Sequence, residues 1–350
     1  MKHIAVIPGD GIGVEVTREA VKVLETLKQT CGLQVELTHF DWSADRYLRD
    51  GVTLPAGALD MFRNEFDAIL IGAFGDPRVP DMKHAADILL GIRFGLDLYI
   101  NLRPIKLLNE KLTPLKGRSC QDIQMVVFRE NTEGAYVGVG GTFKRGAPEE
   151  IAIQQEIHTR PGVERIIVAA FEYAQQQGRR KVTMSDKSNV MTYGHGLWQR
   201  VFKQVAERYP NIQSEHMYID ALAMSMVLNP EQFDVIVTNN MFGDIITDLG
   251  AALQGGLGMA ASGNIHPDRV SMFEPVHGSA PKLAGKNIAN PMGAILTAAM
   301  MLDYLGFADS ARAIERAVIA AIDADETTQD LGGLLSTTDV GNAICNRLEL

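Results

Sequence analysis

Cysteine is scarce in this 350-residue chain. Its three thiols, Cys31, Cys120 and Cys345, are odd in number and scattered, with no CxxC spacing and no adjacent histidine pair. That excludes a disulfide framework and a zinc module, and it reads as the reduced thiols of a cytoplasmic protein. Long Lys/Arg runs are missing and the formal charge is −10. A sequence-independent grip on nucleic acid, which depends on neutralising phosphates, is thereby excluded. No apolar stretch reaches the roughly 20 residues that span a bilayer, and the longest apolar helix candidate, 294–305, is interrupted by Asp303. Met1-Lys2-His3 runs straight into Ile4-Ala5-Val6-Ile7, which leaves no room for a signal peptide. Repeats, low-complexity tracts and linker-like segments are also missing. What remains is 46% hydrophobic and 22% charged, the balance of a folded globular chain. At roughly 100–200 residues per domain, its length suggests two lobes. A small anionic ligand is compatible with the acidic total, because arginines can cluster locally.

The most informative stretch is 234–248, Asp-Val-Ile-Val-Thr-Asn-Asn-Met-Phe-Gly-Asp-Ile-Ile-Thr-Asp. It reads as a β-branched strand, a turn at Asn239-Asn240, and a helix restarting after Gly243. Asp244 and Asp248, four apart, then stack on one face of the helix opening. A capped helix with an acidic first turn is the plain reading. A hard divalent cation explains the pair better, since open α/β sheets take ligands just past such strands.

Strand and helix signals alternate along the chain: a strand over 34–38, a helix over 55–63, a strand over 66–72, a helix over 161–177 and another over 291–305. Such alternation predicts an α/β fold with parallel strands. The first turn, Pro8-Gly9-Asp10-Gly11-Ile12-Gly13, has its glycines as G-x-G-x-G, so it does not carry the Rossmann fingerprint. Arg93, Arg103 and Arg129 stand at ends of apolar segments, where guanidinium forks suit carboxylates. Taken singly, each is an ordinary surface arginine. Residues 137–160 read as a hairpin or arm. Lys187 lies just past a strand, where partial desolvation among cations lets a lysine act as a base, and Asp220 ends another apolar run. Segments 255–258, 262–264 and 272–281 read as loops whose N–H groups could hold phosphates or an adenosine.

Assembled, these residues resemble the metal-dependent β-decarboxylating dehydrogenases, the isocitrate/isopropylmalate dehydrogenase family. The resemblance covers nearly the whole chain. It rests on Gly9-Asp10-Gly11-Ile12-Gly13, the Leu89-Leu90-x-x-Arg93 and Asn101-Leu102-Arg103-Pro104 segments, and Arg129-Glu130-Asn131-Thr132-Glu133-Gly134. It also rests on Asn239 to Asp248 and on Glu274-Pro275-x-His277-Gly278-Ser279-Ala280-Pro281. It implies a two-lobed fold without a Rossmann fingerprint domain: 1–98 with 250–350 as the cofactor lobe, and 99–249 as the substrate and dimerisation lobe. Homodimers with shared active sites are implied as well. The activity implied is NAD-linked oxidative decarboxylation of a 3-alkylmalate, foremost 3-isopropylmalate in leucine biosynthesis, with Leu89 and Leu90 against the branched alkyl group. Arg93, Arg103 and Arg129 would hold carboxylates. Asp244, Asp248 and Asp220 of the partner subunit would hold Mg²⁺ or Mn²⁺. Lys187 would take the hydroxyl proton and Tyr136 supply one later. The cofactor would touch Ile12, Glu274, His277, Gly278, Ser279, Ala280, Lys282 and Asn290.

Two positions depart from the family pattern. Ala85-Ala86 leave only Asp87 where isopropylmalate members often carry an acid before the leucines. Lys282 stands where NAD users usually have an acid, which implies some NADP use, although Leu283 follows it in place of the tyrosine typical of NADP users. Rival readings are another 3-substituted malate, homoisocitrate, or D-malate or tartrate as substrate. From another class come a non-catalytic regulatory subunit of the same fold and a metal-independent hydroxyacid dehydrogenase.

Overall fold

The computed structural model describes residues 1–349. Its strands are β1 (Lys2–Gly9), β2 (Val35–His39), β3 (Ala68–Ala73), β4 (Ile100–Lys106), β5 (Gln124–Glu130), β6 (Gly140–Phe143), β7 (Ile151–Gln154), β8 (Lys181–Asp186), β9 (Gln213–Tyr218), β10 (Val235–Thr238), β11 (Ala261–Ile265) and β12 (Ser271–Pro275). Ten of them form one sheet in the order β2-β1-β3-β12-β11-β4-β5-β10-β8-β9. The two wings are parallel, whereas the middle pairs β12–β11, β11–β4 and β4–β5 are antiparallel. Strands from 1–98 and 250–350 lie on one side of the β11–β4 seam, and strands from 99–249 lie on the other.

Both faces of the sheet are covered. Along β1, Ile4 and Val6 join one apolar core while Ala5 and Ile7 join a second. Along β5, Val126 and Phe128 share the first core while Met125 and Val127 face a third. Strands buried on both faces need continuous apolar runs, which is why Ala68–Ala73 and Val235–Thr238 are buried throughout. The expected helices form over Ala58–Glu65, Arg160–Gln176 and Met292–Tyr304, and β6 and β7 pair as an exposed hairpin within the expected arm.

Two expectations fail. The helix after β10 does not restart after Gly243: it runs Asn240–Leu253, with Asn239 Oδ1 accepting from the Phe242 N–H at 2.8 Å as its cap. Asp244 therefore sits in the second turn. Residues 262–264 and 272–275 are buried strand, not loop. Their Ser, Gly and Asn residues are poor strand formers, but β11 pairs on both sides and Asn264 Oδ1 accepts from Asn101 Nδ2 and Asn131 Nδ2 at 2.8 and 2.9 Å.

The glycine-rich first turn serves chain packing. Gly11 has φ 57°, and a Cβ there would stand 2.1 Å from Ser279 O. The next N–H, that of Ile12, donates to that carbonyl at 2.8 Å, so the turn and the 277–281 loop lie back to back. No helix among the described residues is long and apolar enough to cross a membrane.

Candidate active site

The ends of β3, β5 and β12 meet at a cleft of about 300 Å³. Arg93 comes from the last turn of helix Lys83–Gly95, Arg103 from the middle of β4, and Arg129 from the end of β5. Leu89 and Leu90 lie one turn before Arg93 and line the same cleft, together with Tyr136, Asp244 and Glu274. The sequence reading thus selects residues that the fold brings together.

All three arginines are buried. Arg129 Nε and Nη2 donate to Asn240 Oδ1 at 3.0 and 2.8 Å, and its Nη1 donates to Asp244 Oδ1. Arg103 Nη1 donates to Thr247 Oγ1 at 2.6 Å and lies 3.4 Å from Asp244 Oδ1. Arg93 donates to Glu274 Oε1 at 3.4 Å, an oxygen that also accepts from Asn264 Nδ2 at 2.7 Å. Burial, and then the neighbouring Arg103, lower the Arg129 pKa; a guanidinium in contact with a carboxylate nevertheless keeps its proton at neutral pH. Burial raises the Asp244 carboxyl, but Arg129 and Arg103 outweigh it and hold it below the usual carboxylate range. Asp248, one turn on, is pushed up by burial and by Asp244. The Tyr136 hydroxyl donates to Asp244 Oδ2 at 2.8 Å; burial, and then that bond, raise its pKa, so the phenol holds its proton.

Lys187 and Asp220 are elsewhere. Lys187 Nζ donates to Asp220 Oδ1 at 2.6 Å, and neither residue lines the cleft of the same chain. Asp220 opens helix Ile219–Leu228 instead of simply closing a strand.

The residues expected at the cofactor divide. Ile12 and the 277–281 loop meet through the Ile12–Ser279 backbone bond. His277 is buried with its pKa lowered by that burial. Its Nδ1 lies 3.1 Å from Gly278 O, which leaves Nε2 as a bare acceptor suited to a ligand N–H. Glu274 faces Arg93 instead, at 3.4 Å. Asn290 is buried, its amide engaged by Asp330 Oδ2 at 3.1 Å and the Met292 N–H at 3.0 Å. Lys282 is exposed. Asp87 is taken by Thr53 and Lys83, at 2.9 and 2.7 Å, while Ala85 and Ala86 line the cleft. Sequence reading missed Asn240 and Thr247, which orient the arginines. The available signal was their place on the face that carries Asp244 and Asp248.

The sequence pattern of the family described as isocitrate/isopropylmalate dehydrogenase matches residues 3–344. The chain is 47% identical over 347 residues to a 3-isopropylmalate dehydrogenase of Thermobifida fusca, covering 99% of this chain and 97% of that protein. To the 3-isopropylmalate dehydrogenase of Corynebacterium jeikeium it is 48% identical over 349 residues, 99% of each. Its fold is similar to the crystal structure of an isocitrate dehydrogenase from Methylococcus capsulatus, with a TM-score of 0.90 at 38% identity over 100% of both chains.

Proposed function

The chain belongs to the isocitrate/isopropylmalate dehydrogenase family, and from that premise we propose that it carries out the oxidative decarboxylation of 3-isopropylmalate in leucine biosynthesis. It is an enzyme, a decarboxylating dehydrogenase. The reading is carried by the convergence of three buried arginines, 93, 103 and 129, on one cleft that Leu89 and Leu90 also line. The arginines suit two carboxylates and the leucines suit a branched alkyl group.

Asp244 and Asp248 would hold Mg²⁺ or Mn²⁺. The fit is supported by the two carboxylates standing one turn apart on one helix, with the Asp248 carboxyl pushed up by burial and by Asp244, a repulsion that a bound cation would offset. NAD would lie against Ile12 and residues 277–280, where the bare His277 Nε2 is the supporting feature. When bound, the cation would supply Lewis-acid polarisation of the substrate hydroxyl and carboxylate, and the nicotinamide would supply a hydride acceptor. The arginines orient the malate carboxylates. Lys187 takes the hydroxyl proton, and Tyr136, held protonated, returns a proton to the carbon that has lost carbon dioxide.

Lys187 and Asp220 pair with each other outside the cleft, and we assign them to the partner's site in a homodimer. Two features support this. Both strands of the β6–β7 hairpin are exposed along their length, and a lone hairpin is marginal in water. Met224, Val227 and Leu228 on helix Ile219–Leu228 and Ile245 on helix Asn240–Leu253 present apolar side chains outward, as an interface does. We divide the chain at the β11–β4 seam into 1–98 with 250–350 and 99–249.

The deciding experiment compares rates over a panel of 3-substituted malates, D-malate, tartrate and homoisocitrate, with Mg²⁺ or Mn²⁺ and each nicotinamide cofactor. The highest kcat/KM is expected for 3-isopropylmalate with NAD. Faster turnover of another panel member would overturn the substrate, and turnover after exhaustive chelation would overturn the metal.

A further inference from the structure

Glu156, His158 and His195, the first two half-buried and the last buried, form a group outside the cleft, with ligand-type atoms all within 4.8 Å of one another. Its composition suits a metal, but its proton positions do not. The Lys187 backbone N–H donates to His195 Nδ1 at 2.7 Å, and the Trp198 indole N–H donates to His158 Nδ1 at 3.2 Å. Both donors can only donate, so each imidazole accepts at Nδ1 and carries its proton on Nε2. A ligating histidine needs the reverse, a bare nitrogen toward the metal and a protonated one toward an acceptor. Both Nε2–H groups instead face Glu156, at 3.0 Å from His158 and 3.3 Å from His195, at ion-pair distance without linear hydrogen-bond geometry. Asn239 crowds in a further donor, its Nδ2 lying 3.1 Å from His195 Nε2. Glu156 is thus an anion clamped by N–H groups. Burial raises its carboxyl, but the two histidines outweigh this and hold it at about 2.

The clamp joins the segments that carry the two proton-transfer groups. His195 holds the backbone of Lys187, the first residue after β8. On the other side, the Ile157 N–H donates to Gly134 O at 3.3 Å and the Ile157 carbonyl accepts from the Gly134 N–H at 2.8 Å. Thr159 N–H donates to Glu133 Oε2 at 2.8 Å. Glu133 and Gly134 lead directly into the turn bearing Tyr136. The packing is close: a Cβ at Gly194 would come within 2.8 Å of His158 Cδ2.

We infer that Glu156 is a positioning residue: through His195 it fixes the backbone at Lys187, and through residues 157–159 it fixes the turn that presents Tyr136. The inference rests on the roles proposed above for those two groups. In the proposed dimer they serve different sites, so one carboxylate sets geometry in both.

The test uses the full-length enzyme with 3-isopropylmalate, Mn²⁺ and NAD. E156Q and H195A should keep the dimer while kcat falls about 10- to 100-fold, the scale of an ångström-sized misplacement, with KM within about twofold because the arginines are untouched. E156D should recover part of kcat. H195N should retain more than H195A, because its Oδ1 still accepts from the Lys187 N–H, and it carries the test if E156Q does not fold. Wild-type kcat in E156Q and H195A, or a rise confined to KM, overturns the inference, as does stoichiometric zinc in the purified enzyme. K187A separates the two readings. If it retains turnover, the proposed chemistry fails; if it is dead while E156Q and H195A are normal, only the positioning role fails.

Discussion

Tyr136 and Asp244 share a hydrogen bond, the phenol donating to Oδ2 at 2.8 Å while Oδ1 accepts from Arg129. One carboxylate therefore fixes both the direction of the phenolic proton and the placement of a buried guanidinium that lies 5.3 Å from the Tyr136 ring centroid. Tyr136→Phe removes the proton and leaves the Arg129 contact. It should slow protonation of the decarboxylated product by about 10²- to 10⁴-fold, the usual contribution of a general acid. Hydride transfer should change far less. Single turnovers that follow reduced nicotinamide and 2-ketoacid separately would distinguish the steps, and equal slowing of both would give Tyr136 another role.

Lys187 and Asp244 should be combined from different chains. Lys187→Ala and Asp244→Asn homodimers should each be inactive, whereas co-expressed chains should form mixed dimers with one intact site each. In a two-fold dimer the statistical recovery is roughly a quarter of wild-type activity. No recovery after verified mixing would show that each chain completes its own site.

Lys282 sits exposed in the turn after the 277–281 loop. Lys282→Asp should raise the NAD-over-NADP ratio of kcat/KM mainly by lowering the NADP value. The effect should stay within about fivefold, since one exposed ion pair contributes only about 0–1 kcal/mol. Unchanged values for both cofactors would mean that this lysine does not reach the ribose.

Glu156 gives the fold a pH dependence. Its carboxyl sits at about 2 in the folded chain against an ordinary 4.5. A depressed folded value stabilises above the unfolded pKa, and that contribution fades as pH falls toward the folded pKa. Glu156→Gln should therefore be less stable than wild type at neutral pH, with the gap closing between about 4.5 and about 2. Urea midpoints at about pH 7 and pH 3 would check this. A gap of the same size at both would refute the clamp.

Much of the site was legible because it lies where sequence punctuation is strongest. Arg129 and Lys187 end or follow apolar strands, and Asp244 and Asp248 repeat at the helical interval. The start of their helix was misread because Gly243 looks like a break, although Asn239 caps the helix four residues earlier. β11 was misread because Ser262, Gly263 and Asn264 become strand through pairing and through the buried amides of Asn101 and Asn131, which no local pattern reports. The Glu156 clamp was invisible for a related reason. Its partner His195 is brought to it by the fold, and neither residue belongs to a spacing motif.

Gly243 constrains anyone who would make this protein more heat-resistant. Replacing a helical glycine with alanine ordinarily stabilises by about 1 kcal/mol, and position 243, inside helix Asn240–Leu253, looks like an obvious choice. Yet a Cβ there would stand 2.5 Å from Arg129 Cγ and 2.6 Å from its Cβ. The guanidinium reaches the cleft across the space the missing side chain leaves open. The helix that carries the acid pair is thus kept intrinsically weak by the route of an arginine on a neighbouring strand, and hardening has to be sought in segments that no functional side chain crosses.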